Sequence, residues 1–172
     1  GDDGHHGMLI RRHEAGDWPA VWALLHETFR DGDTYAFAPD SPEAEIQRVW
    51  IEAPLATYVA RGPDGTLLGT YYLKPNQPGL GAHVCNCGYV VASQARGRGI
   101  AAQMCEHSQR WALEHGYRAM QFNFVVATNE HAVRLWERLG FTVVGRLPGA
   151  FRHHRFGFVD AQAHILVRQP GR

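Results

Sequence analysis

The spacing of apolar residues changes several times along the chain, and each change marks an element. Met8 to His13 is short and extended, a strand candidate. Between Asp17 and Arg30 the apolar positions Trp18, Val21, Trp22, Leu24, Leu25 and Phe29 recur at three- and four-residue steps, which predicts a helix. Asp17 is placed to cap it and Pro19 falls in its first turn. The polar loop DGDTYAFAPD leads to a second helix, opened by Ser41-Pro42-Glu43 and running to about Glu52. Ala56 to Arg61 and Thr66 to Leu73 flank Gly62-Pro63-Asp64-Gly65, which reads as a hairpin. After the loop KPNQPGLGA come a strand from His83 to Val91 and a long helix from Gly97 to His115, ended by Gly116. Ala119 to Val126 is a strand, and Asn129 to Leu139 a helix stopped by Gly140. Phe141 to Gly145 and Asp160 to Val167 are the last strands, with GAFRHHRFGF read as a loop between them.

This order gives a mixed α/β class, with a largely antiparallel first half and a βαβ centre. No repeat or linker divides the pattern. The 172 residues fit one domain from residue 8 onward, able to bury about 70% of the unfolded surface. Residues 1–7, GDDGHHG, read as a disordered lead-in. The formal net charge is zero, so nothing draws the chain as a whole to nucleic acid or an anionic membrane. No apolar run approaches the ~20 residues that span a bilayer, and no secretory h-region opens the chain. Cys85, Cys87 and Cys105 are odd in number, with two on one strand. That is no disulfide framework, and it suits a reducing cytoplasm.

The candidate chemistry begins at SQARGRGIAAQ, residues 93–103. A strand, a glycine loop and a helix N-terminus make an anion site, because unpaired amides and the helix dipole point the same way. Arg96 and Arg98 add charge, and Gly97 and Gly99 let backbone approach phosphate closely. A Walker loop needs Gly-Lys-Ser/Thr, but Gly99-Ile100-Ala101 stands here. Gly97, Gly99 and Ala102 formally match a dinucleotide fingerprint, yet the next strand lacks its acidic residue.

Gln94-Ala95-Arg96-Gly97-Arg98-Gly99 resembles the Q/R-x-x-G-x-G/A signature of the GNAT superfamily of acyl-CoA-dependent N-acetyltransferases. Asn129-Glu130-His131-Ala132, continuing to Gly140-Phe141, resembles that family's N-x-x-A helix and GF segment. The resemblance implies a mostly antiparallel sheet of about seven strands, splayed between the fourth and fifth, with about four helices. Acetyl-CoA would be the co-substrate. Backbone groups of Tyr89, Val90 and Val91 would pair with its pantetheine arm, and a backbone N–H near Tyr89 or Val90 would polarise the thioester. The amides of Arg96 through Ala101, with Gly97, Arg98, Gly99 and Ile100 between, would hold the pyrophosphate. Asn129 would reach the coenzyme arm, with Ala132, Leu135 and Trp136 beside it. The reaction implied is direct attack by an amine in a ternary complex. Trp136 departs from the family, which often has a tyrosine there to protonate the thiolate; an indole is no useful acid.

Alternation along the fourth strand sets His83, Cys85, Cys87 and Tyr89 on one face and Val84, Asn86, Gly88 and Val90 on the other. Asn86 and Asn123 each interrupt an apolar face beside the expected splay, as core amides or as a pair that orients a substrate. HVCNCGYVV, FNFVVATNEHAVRLWERLGF and VGRLPGAF also resemble the subgroup containing proline-analogue N-acetyltransferases. That resemblance implies substrate-site roles for Asn86 and Asn123 and a coenzyme or catalytic role for Asn129. It makes a proline analogue or another small-molecule amine the candidate acceptor. Tyr35 and Phe37 lie in the loop that often roofs the acceptor site in this family, and members are often homodimers. His83-x-Cys85-x-Cys87 lacks the second ligand pair of structural zinc, so no metal is expected. His83, His153, His154, Glu27 and Asp31 are all open as the base that takes the amine's proton. A non-catalytic acyl-CoA sensor and a peptide N-acetyltransferase are the rival readings.

Overall fold

The computed structural model describes residues 7–168; the rest of the expected lead-in, Gly1 to His6, lies outside them. The elements are β1 (Leu9–Arg12), α1 (Trp18–Asp31), α2 (Glu43–Gln47), β2 (Ala56–Arg61), β3 (Leu67–Pro75), β4 (Val84–Val91), α3 (Ile100–Glu114), β5 (Ala119–Val126), α4 (Glu130–Arg138), β6 (Thr142–His153) and β7 (Gly157–Val167). The seven strands form one sheet in the order β1-β2-β3-β4-β5-β7-β6. Every neighbouring pair is antiparallel except β4 and β5.

The parallel pair is short. Val84, Cys85 and Asn86 face Ala119, Met120 and Gln121, and there the ladder stops although both strands continue. Beyond that point β5 stays with β7, shifting register between Phe122 and Val125, while β4 stays with β3. The expected splay is therefore present. One apolar cluster, with Val21, Leu25, Phe29, Trp50, Tyr71 and Met104, serves the N-terminal half. A second, with Cys85, Cys105, Met120, Phe122, Leu135 and Trp136, serves the C-terminal half. Tyr89 packs against both, at the splay itself.

Three local expectations change. Asp17 does stand at the N-cap of α1, but its carboxylate does not cap it. It accepts from Arg11 at 2.8 and 2.9 Å, from Arg61 at 2.8 Å and from the Glu14 amide at 2.8 Å. Two guanidiniums brought in by β1 and β2 outcompete a helix amide. The second helix is only five residues long and widens into a π-type turn at Arg48–Glu52; Pro42 precedes it, and the Ser41 hydroxyl donates to the Ala38 carbonyl instead of capping. Finally, GAFRHHRFGF is no loop. Its residues extend β6 and β7 into one long hairpin, pairing Phe151 with Val159 and His153 with Gly157. β6 is an edge strand exposed along most of its length, so no alternation of apolar and polar residues announces it.

Candidate active site

β4 runs into a tight turn at Ser93–Ala95, with Ala95 buried, and the chain then passes through two glycines in the left-handed region. Gly97 has φ +78° and Gly99 φ +75°, conformations that side-chain-bearing residues rarely adopt. α3 starts directly afterward with no side-chain cap, and the first amide to bond back is Gln103, to the Gly99 carbonyl at 3.1 Å. The amides of Ile100, Ala101 and Ala102 thus lie in the uncommitted first turn. This terminus fits a pyrophosphate: donors and dipole converge where the glycines leave the backbone bare. Of the expected run from Arg96 to Ala101, the Arg96 amide is engaged within the turn, to the Ser93 carbonyl at 3.3 Å.

The register of β4 decides which backbone groups face the opening. The Ala92 amide bonds the Leu68 carbonyl and the Asn76 amide bonds the Val84 carbonyl, so the even-numbered residues of β4 exchange hydrogen bonds with β3. Val90 is therefore committed to Thr70. Tyr89 and Val91 turn their amides and carbonyls toward the gap, so of the three residues expected there these two present their backbone groups to it. The Tyr89 carbonyl accepts a hydrogen bond from the Tyr35 hydroxyl at 2.8 Å. Burial among Phe29, Phe37 and Trp50 pushes the Tyr35 phenol well above its usual pKa, so it stays a donor.

Below the opening, on the face of α1 and α2, lies a floor of amides. The Asn86 side chain is buried and donates to the Gln121 carbonyl at 2.9 Å, at the last parallel pair itself. Gln121 donates to the Asn123 side-chain oxygen at 2.9 Å, and Asn123 to the Asn76 side-chain oxygen at 2.7 Å. The two asparagines do not bond each other; Gln121 joins them. The Tyr72 hydroxyl approaches the Asn86 oxygen at 3.5 Å, and Lys74 sits over the Tyr72 ring at 5.5 Å. Opposite Tyr72 is Gly88, where a Cβ would come within 2.5 Å of the ring. Tyr72, Lys74, Asn76 and Gln121 were missed in the sequence. Gln121 could have been found, two residues before Asn123 on one strand; the others reach the floor only through the β3–β4 register.

A family model described as Acetyltransferase (GNAT) family matches residues 18–141. The chain belongs to that family. A GCN5-related N-acetyltransferase from Kribbella flavida superposes with a TM-score of 0.89 at 40% identity, over 94% of this chain and 98% of that one. The N-acetyltransferase aca1 of Schizosaccharomyces pombe is 41% identical over 98 residues, 56% of this chain. The chain spans under half of that relative, 46% of its length. A phosphinothricin acetyltransferase from Sinorhizobium meliloti, solved in complex with AcCoA, shares the fold at a TM-score of 0.83 and 17% identity, over 94% of this chain and 89% of that one.

Within this GNAT domain Asn129 is the N-cap of α4, its side-chain oxygen accepting from the Ala132 amide at 3.4 Å. Leu135 and Trp136 are buried, while Ala132 is half-buried beside them. The Trp136 ring lies 5.3 Å from Tyr89 and 4.7 Å from Phe122, closing the base of the opening with apolar surface. Tyr89 turns its own hydroxyl to Ser108 at 2.6 Å, where burial holds its pKa high. Of the candidate bases, Glu27 is exposed and reached by the Ser93 hydroxyl at 3.5 Å, beside the glycine loop instead of the floor. His83 is exposed ahead of β4. His153 and His154 both meet Asp33, at 3.2 and 2.7 Å. No helix among the described residues is long and apolar enough to cross a membrane.

Proposed function

We propose that the protein transfers the acetyl group of acetyl-CoA to the amine of a small molecule, with a proline analogue or another amino acid as first candidate. The observation that carries this reading is the opening between β4 and β5, with an uncapped helix terminus at one end and an amide floor beneath it. The uncommitted amides at the start of α3 would hold the coenzyme's pyrophosphate, and Tyr89 and Val91 would pair with its arm. The amine nitrogen attacks the thioester carbonyl, a C–N bond forms, the C–S bond breaks, and the amine's proton leaves to water. Gap-facing amides of β4 stabilise the oxygen on which charge develops. Asn86 and Asn123 orient the acceptor, and Asn129 fixes the start of α4 beside the coenzyme arm.

Release of CoA thiol from acetyl-CoA across proline-ring analogues, ordinary amino acids, polyamines, aminoglycosides and short peptides tests the proposal. Turnover with a cyclic imino acid supports it. Turnover confined to short peptides would replace it with peptide acetylation. Trp136 favours a second reading, an acyl-CoA sensor, because an indole cannot protonate the departing thiolate. Binding of acetyl-CoA without turnover of any acceptor would favour that sensor.

A further inference from the structure

We propose that Asp33, His153 and His154 form a clasp that holds the loop of residues 32–40 across the opening, and that Asp33 and His153 are positioning residues for the transfer. The inference rests on the reading that the acceptor enters beneath this loop. The loop is tied at two points to different halves of the sheet. Tyr35 bonds the Tyr89 carbonyl on β4, and two residues earlier Asp33 accepts from His154 at 2.7 Å, with His153 3.2 Å away, both from the end of the β6–β7 hairpin. The sheet itself joins those halves through only three residue pairs.

The histidine end is rigid. His153 is 6% exposed, and its ring stacks on Phe156 at 4.8 Å. Phe151, two residues earlier, lies 6.3 Å from Phe124, the neighbour of Asn123 on β5. The His153 Nδ1 accepts the amides of Arg155 at 3.0 Å and Phe156 at 3.4 Å, so it carries no proton. The ring's proton is on Nε2, which lies 3.2 Å from the Asp33 oxygen that accepts the hydrogen bond of His154 at 2.7 Å. That tautomer also decides against a metal here, although the three ligand atoms lie within 4.8 Å of one another. A ligating Nε2 must be bare, and Nδ1 would then need a proton where two amides already point. The acceptor atom required at position 33 is only an oxygen, which asparagine also supplies.

Asp33→Ala and Asp33→Asn separate a clasp from a metal site or a charge effect. In Asp33→Ala, amide hydrogen exchange of residues 34–37 speeds up by about fivefold, the loss of one hydrogen bond. Slow hydrolysis of acetyl-CoA without any acceptor rises by a similar factor, as water reaches the opening. Asp33→Asn keeps both within about twofold of the unaltered protein. Unchanged exchange in Asp33→Ala overturns the proposal, and so does Asp33→Asn behaving like the alanine variant. Equimolar Zn²⁺ binding that Asp33→Ala abolishes overturns it too. The exchange measurement needs no acceptor, so a failed amine panel and a failed clasp are told apart.

Discussion

Asp17 ties the start of α1 to β1 and β2 with a nearly buried carboxylate held by Arg11 and Arg61. The Arg11 hydrogen bonds come first among the causes that keep its pKa well below the usual carboxylate range. A depressed native pKa stabilises the fold wherever the unfolded chain would still bind a proton. The contribution is therefore complete above the ordinary aspartate value near 4 and is lost as pH falls below it toward the native value. Asp17→Asn is expected to cost about 2–4 kcal/mol at pH 7 and to flatten the fall of the urea midpoint between pH 5 and 3. Urea titrations of both proteins across that range check it. At the floor, Asn123→Ala is expected to raise the acceptor KM by about tenfold while the acetyl-CoA KM moves little, because Asn123 is exposed and its partners are other floor amides. Steady-state kinetics with the amine that turns over best checks this.

The proposed pyrophosphate seat at the start of α3 is made of backbone alone. Gly99→Ala puts a side chain at φ +75°, so the loop must either strain or relax away from the uncapped amides. Acetyl-CoA affinity is expected to fall by about tenfold with the thermal midpoint changed by only a few degrees, measured by calorimetric titration and melting. β4 shows the same economy. Its even residues pair with β3 and its odd residues face away from it, a division set by register and invisible in any single side chain. Gly88→Ala tests whether that strand tolerates bulk. The added Cβ meets the Tyr72 ring at 2.5 Å, and the expected result is a loss of about 1–3 kcal/mol with a displaced Tyr72, seen in urea unfolding and a crystal structure.

Across the whole molecule, two apolar clusters meet at Tyr89, and the sheet is pinned there by three parallel pairs and the Asn86 side chain. A ligand that fills the gap binds the folded state alone. Acetyl-CoA at a hundredfold excess over its Kd is expected to add about 2.7 kcal/mol of stability. A thermal midpoint that does not move with acetyl-CoA concentration would contradict the coenzyme seat at this opening.

The order of elements was legible because burial imposes a helical period on α1 and a short, nearly continuous buried run on β4, and because Gly97, Gly99, Gly116 and Gly140 mark turns no other residue makes cheaply. The glycine loop and the N-x-x-A helix could be located for the same reason: both are marked by local geometry, positive-φ glycines in one and the Asn129 cap in the other. The outer part of the β6–β7 hairpin, beyond the strands read at Phe141–Gly145 and Asp160–Val167, escaped because the edge strand β6 is exposed along most of its length and imposes no period. The competition won by Arg11 and Arg61 for Asp17, and the chain of amides from Asn86 through Gln121 to Asn76, depend on which strands become neighbours. So does the meeting of Asp33 with two histidines some 120 residues away. The sequence determined the elements and the glycine loop ahead of α3, which are local. Only the tertiary structure decided which side chains share the floor and the roof, because those contacts exist once register and strand order are fixed.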